Sequence, residues 1–147
     1  MNFKELRVII EAAVEAIGMD YYFGKEGDAF LDRLVSGELS DGGHCLQHDT
    51  SDQIKVNGGW EAIPLRLSLL KQTKRNVGLT GEQELGTDTP REDIRLEMYN
   101  QWIDLIAQIE LTPDVQIQDE WTYKFISYGD NVTEGIMVDF NIYIYDC

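Results

Sequence analysis

The sequence predicts an α/β (α+β) chain, a two-layer sandwich in which an antiparallel sheet carries two main helices on one face. Three observations predict it. In residues 135–145, Ile136, Val138, Phe140, Ile142 and Ile144 alternate with Met137, Asp139, Asn141, Tyr143 and Tyr145, and a period of two is the mark of a strand whose side chains point to opposite faces in turn. Residues 60–73 hold a second strand signal, with Leu65, Leu67 and Leu69 on one side and Arg66, Ser68 and Lys71 outside that series. Two further segments place apolar residues at helical spacing, one at the start of the chain and one past its middle.

In the first of these, Phe3, Leu6, Ile10, Ala13 or Val14, and Ile17 define an amphipathic helix over residues 2–17, stopped by Gly18. Tyr21, Tyr22 and Phe23 then read as a short strand broken at Gly24. Residues 28–35 suit a brief helical turn with Phe30, Leu31 and Leu34 inward. From 36 to 59 the pattern dissolves into Gly, Asp, Ser and His, which is loop chemistry, with a short strand expected at Ile54, Lys55 and Val56 before the turn residues Asn57, Gly58 and Gly59. Pro64 cannot donate to a ladder, so it suggests an edge position or a bulge in the strand at 60–73. Residues 74–89 show no usable period and form a second long loop.

The second helix announces its own start. Thr89 as N-cap, Pro90 at the first helical position and Glu92 at the third make a capping box. Ile94, Met98, Trp102, Leu105 and Ile109 mark its buried face, and it should close near Glu110. A closing hairpin follows: residues 119–128, with Trp121, Tyr123 and Phe125 set against Thr122 and Lys124, then the turn Gly129, Asp130, Asn131, then 135–145. The expected core is Leu6, Ile10, Ile17, Leu65, Leu67, Leu69, Ile94, Met98, Trp102, Leu105, Phe125, Val138, Phe140 and Ile142. No repeat or linker divides residues 1–147, so one domain is expected.

Composition narrows the function classes. The 147 residues are 43% hydrophobic and 10% aromatic, which fits a globular chain. No apolar run reaches membrane-spanning length, and the opening Met1-Asn2-Phe3-Lys4-Glu5 lacks the apolar block of a signal peptide, so a cytosolic origin is the default. In that setting Cys45 and Cys147 are expected as free thiols. The net charge of −15 argues against nucleic-acid binding through a broad basic surface. It suits solubility, a surface past which DNA slides without sticking, or an acidic decoy of DNA.

No motif makes an enzyme. A nucleophile elbow and a GxxxxGK phosphate cradle are both missing from the sequence. His44, Cys45 and His48, with Asp41 or Asp52, come nearest to a metal site, but the second ligand cluster that zinc motifs bring is lacking. The acidic stretch 38–52 does not match EF-hand spacing. Asn131-Val132-Thr133 matches a glycosylation sequon and reads more simply as turn chemistry. No catalytic residue, cofactor or metal ligand is therefore expected. Lys71, Lys74 and Arg75 stand out in so acidic a chain. They suit either the charged end of a hairpin or a contact with Glu82, Glu84 or Asp88 on a neighbouring copy, a head-to-tail arrangement that closes into a ring. Tyr143 and Tyr145 are a second candidate partner surface.

The layout as a whole resembles the tail-terminator and tail-completion proteins of tailed bacteriophages. The features that carry the resemblance are the opening helix, Tyr21-Tyr22-Phe23-Gly24, the strand at 59–65, the capped helix from Pro90 and the closing hairpin. The run SYGDNVTEGIMVDF at 127–140 resembles the closing hairpin of virion connector proteins from phages of Bacteroidetes-like hosts. The likeness rests on order and texture, and the acidic loop at 36–57 is longer than the family pattern. The resemblance implies a non-enzymatic ring, a hexamer, made in the host cytoplasm and built into the neck of the virion. It would cap the tail tube, dock on head-completion proteins, let DNA pass through its channel and need no cofactor or membrane. A head-tail adaptor or stopper ring is the nearest alternative, and an acidic DNA-mimic inhibitor of a host enzyme a more distant one.

Overall fold

The computed structural model describes residues 3–24, 42–49, 53–72, 88–128 and 133–145. In chain order its elements are α1 (Phe3–Ala16), β1 (Asp20–Phe23), β2 (His44–Gln47), β3 (Lys55–Asn57), β4 (Trp60–Gln72), α2 (Asp88–Ile109), β5 (Val115–Ile117), β6 (Thr122–Tyr128) and β7 (Thr133–Tyr145). The predicted α+β sandwich is present: a mixed sheet of seven strands among the described residues, with both helices packed on one face.

At the centre of the sheet β4 and β7 run antiparallel, paired from Trp60↔Tyr145 to Gln72↔Thr133. Two short strands flank each of them. On the β4 side, β3 pairs with residues 60–62 and β2 with 67–70. On the β7 side, β5 pairs with residues 142–144 and β6 with 133–139. Alternation then decides the faces. Ile63, Leu65, Leu67 and Leu69 of β4 join Ile136, Val138, Phe140, Ile142 and Ile144 of β7 in one core with Leu6, Ile10, Ile94, Met98, Trp102, Leu105 and Ile109 of the helices. Burying each such side chain stabilises the fold by about 1.5–3 kcal/mol before entropy is counted.

α1 ends as expected at Gly18, which adopts φ 81°. Met19 N–H donates to Val14 O at 3.1 Å and Gly18 N–H to Glu15 O at 3.0 Å, the paired bonds of a Schellman turn, whose apolar contact is supplied by buried Met19 and Val14. β1 stops at Gly24 as predicted, and Gly24 also has positive φ.

Several expectations are corrected. The sheet is not wholly antiparallel, because β1 and β2 run parallel. β2 itself lies inside the region 36–59 expected as loop. Its four residues His44, Cys45, Leu46 and Gln47 are all buried, so a strand covered on both faces shows no alternation to read. β5, three residues long, was missed for want of length. β6 begins at Thr122, not at 119, and β7 at Thr133, not at 135. α2 already includes Asp88, so Thr89 and Pro90 sit within its first turn and not at its boundary. Pro64 is in the central strand, not at an edge, and its nitrogen falls where the registers of β3 and β2 leave a gap at residues 63–66. Lys71 lies on the helix-side face with Leu69. Of the expected core, Phe125 is half exposed and Ile17 is only partly buried. The turn expected at 28–35 falls outside the described residues.

Gly135 shows how tightly the central pair is drawn. A Cβ built there would stand 1.9 Å from Leu69 O and 2.9 Å from Leu69 C. Backbone, not a mobile side chain, would have to give way. Gly135→Ala is expected to lose about 1–3 kcal/mol or more in chemical denaturation, whereas Gly58→Ala, with open space around its Cβ, should change stability by less than about 0.5 kcal/mol.

Candidate interaction surface

The two faces of the sheet carry different chemistry. Opposite the helices, polar groups meet in local pairs. Arg66 grips Asp139 across the β4–β7 ladder, with Nε 2.7 Å from Oδ1 and Nη2 3.3 Å from Oδ2. Both are nearly half exposed, so the pair is worth about 1 kcal/mol at most. Beside it, His48 Nε2 lies 2.7 Å from Oγ of buried Ser68, and Asn141 Nδ2 donates to Gln118 Oε1 at 2.6 Å. Burial holds the His48 imidazole below its ordinary value, the Arg66 guanidinium adds to that, and Asp139 opposes both.

The three residues weighed as metal ligands are divided between faces. Cys45 belongs to the helix-side core, while His44 and His48, one and three positions away, lie on the opposite face. Burial raises the Cys45 thiol to about 12. His44 is buried with Nδ1 3.4 Å from Asp20 Oδ2. Among the described residues no three His, Cys, Asp or Glu side chains come together as a metal site would require.

On the helix side, an aromatic chain runs from the core to the sheet edge. Phe140 meets Trp102 at 4.8 Å between ring centroids, Trp102 meets Trp121 edge-on at 5.6 Å, and Trp121 meets Tyr123 at 5.9 Å. Tyr123 then contacts both Tyr99 of α2 at 5.2 Å and Phe125 at 5.8 Å. Such offset and tilted pairs each add about 0.5–1.5 kcal/mol beyond area. The chain ends at Arg95, whose guanidinium lies 5.0 Å from the Phe125 ring centroid. Arg95 is fixed from behind: its Nε donates to Glu134 Oε2 at 3.2 Å, and Glu134, fully buried, also accepts from Ser127 Oγ at 2.8 Å.

This end of the molecule is open. Phe125 is 52% exposed, Tyr123 45% and Leu96 of α2 60%. Together with Glu92, Arg95 and Tyr99 they line a groove of about 450 Å³ between α2 and β6. Around the helix, Leu96 also borders a shallow hollow of about 320 Å³ formed by Asp93, Glu97, Asn100, Gln101 and Asp104. Strand β6 pairs with β7 alone among the described residues, and most of its side chains are exposed.

Of the residues singled out from the sequence, Lys71 is already held inside the chain, its Nζ 3.0 and 3.1 Å from the Glu97 carboxylate oxygens. Lys74, Arg75, Glu82 and Glu84 lie outside the described residues, and Asp88 opens α2. Tyr143 packs edge-on against Trp60 at 5.3 Å. Tyr145 is exposed near Gln116 of β5. These tyrosines stand at the far end of β7 from the groove and from Lys71. Sequence reasoning missed Arg95, Leu96 and Tyr99. A signal was there: Leu96 and Ile103, one helical heptad apart, are apolar residues lying off the Ile94–Ile109 stripe.

No protein-family model and no curated protein matches this chain. Among the described residues no helix is long and apolar enough to cross a membrane.

The chemistry of this region gives two checks. With Cys147→Ser as background, Cys45 is expected to resist a thiol reagent at neutral pH until the chain unfolds, because it is buried and little of it is thiolate. For His48, a folded-state value below the ordinary 6.5 means that stability is complete above 6.5 and is lost as pH falls. Below that pH the unfolded chain takes up a proton that the folded one resists. His48→Gln, which can still bond Ser68, is expected to lessen the loss of stability as pH falls below 6.5, measured by urea denaturation.

Proposed function

We propose that this chain is an assembly protein of a tailed-phage virion, a tail terminator that forms a ring at the neck, joins the tail tube to head-completion proteins and lets DNA pass. The observation that carries this reading is the open apolar surface where α2 meets the edge strand β6. Contiguous exposed aromatic and aliphatic side chains mark association surfaces, and this one is continuous with the core through Trp121 and Trp102. The α+β sandwich and the resemblance in element order point the same way.

Net charge supports the reading through its physics. A chain at −15 repels its own copies, so subunit contacts must concentrate apolar area and local ion pairs. Lys71 is satisfied by Glu97, which leaves Lys74 and Arg75 as the cations for Glu82, Glu84 and Asp88 of a neighbour, with Tyr143 and Tyr145 as a further contact. A channel lined by carboxylates repels phosphate over the roughly 8 Å of physiological screening, whereas a lysine-lined channel would hold DNA by counterion release.

The expected outcome in size-exclusion chromatography with light scattering is a ring, a hexamer in the proposed arrangement, for the purified chain alone or with its tail-tube partner. A monomer under both conditions at high protein concentration would sink the reading. Assembly should strengthen with added salt if like-charge repulsion is the main opposing force.

A further inference from the structure

We infer that the groove between α2 and β6 is a docking site for an extended, cationic segment of a different protein chain, which adds to the sheet as a strand beside β6. The inference deepens the assembly reading, on which it rests only for the partner being another structural protein.

The edge comes first. Strand β6 has one neighbour, β7, among the described residues, and an open edge presents backbone donors and acceptors that an extended chain satisfies. A strand laid there would place alternate side chains over the groove, where the rings of Tyr123, Phe125 and Tyr99 and the Leu96 side chain wait at its floor and wall. These are the features of strand addition: main-chain bonds for affinity, a side-chain groove for selectivity.

Charge chooses between occupants. The groove wall carries Glu92, and the adjoining flank of α2 carries Asp93 and Asp104, while Glu97 beside them is already paired with Lys71. Among the described residues Arg95 is the one cation lining the groove, and it is already engaged by Glu134 and Phe125. A second copy of this chain, at −15, would bring more negative charge to this wall. A segment with lysine or arginine beside its apolar anchors meets it with opposite sign, which speeds encounter and fixes register.

The test uses a fluorescently labelled, capped peptide of about eight residues, with threonine at every second position and isoleucine and lysine at the others. Fluorescence anisotropy with the full chain is expected to show binding that weakens with salt. Three control peptides are each expected to bind about tenfold more weakly or worse: glutamate replacing lysine, serine replacing isoleucine, and a fully N-methylated backbone that has no N–H to offer the β6 edge. On the protein side, Leu96→Ser and Glu92→Lys alter exposed side chains and should reduce binding while leaving the circular dichroism spectrum unchanged. Phe125→Ser should do the same. Equal binding of the N-methylated or serine peptide, or no effect of the groove variants, would overturn the proposal by reducing the interaction to non-specific charge attraction. No binding at all would overturn it too. Light scattering without peptide separates the two readings. A ring that ignores the peptide removes this site and keeps the ring. A monomer that binds the peptide through the groove removes the ring and keeps the site.

Discussion

The fold depends on the β4–β7 ladder. Residues 60–72 and 133–145 pair along their whole length, and each of the other strands reaches the sheet through one of these two, directly or by way of β2. Neither long strand could be stable as an isolated pair in water. What makes it so is the helix-side stripe, Ile63 through Leu69 on one strand and Ile136 through Ile144 on the other, closed over by Leu6, Ile10, Met98, Trp102 and Leu105. At Gly135 a side chain would meet the Leu69 carbonyl. A register slip of one residue would turn the whole stripe away from the helices, so the pairing and the core specify each other.

The charge distribution follows from the same geometry. With 27 acidic and 12 basic residues the chain cannot neutralise itself globally. Among the described residues three cations are used locally, each against a carboxylate brought alongside by the ladder or by α2: Arg66 with Asp139, Lys71 with Glu97, Arg95 with Glu134. The last pair matters most for stability, because Glu134 has no exposed surface and losing a partner would leave a buried charge under-compensated. It also orients Arg95 over Phe125 and so shapes the open groove.

Much of this was legible in the sequence, and the reasons are physical. Helix α2 announced its buried face through five residues at intervals of four, four, three and four, and all five are buried. Gly18 and Gly24 marked their stops because positive φ costs glycine little. The long strands declared themselves because each buries one face and leaves the other mixed, which is what makes alternation visible. Strand β2 was illegible for the opposite reason: His44, Cys45, Leu46 and Gln47 are buried on both sides, and two of the four are polar. The candidate site was read less well. Alternation placed Tyr123 and Phe125 on one face correctly but could not tell how far the helix layer extends over it.

That last point explains why the groove and the misplaced core residue are one fact. Phe125 sits opposite Ile136, on the face the helices cover, so its position along the strand is that of a core residue. Its position across the sheet is that of an edge, where Arg95 of α2 lies over its ring yet half of it stays exposed. A phenylalanine there gains little from the chain's own fold and leaves apolar area in water. The neighbouring Lys124 points to the other face, where an edge charge discourages indiscriminate pairing. On the groove side β6 itself presents Tyr123 and Phe125, and the charges there, Glu92 and Arg95, belong to α2. Folding alone does not account for an aromatic face left open beside an acidic helix. A partner chain that covers it and brings positive charge would supply the burial and the counter-charge that the monomer lacks.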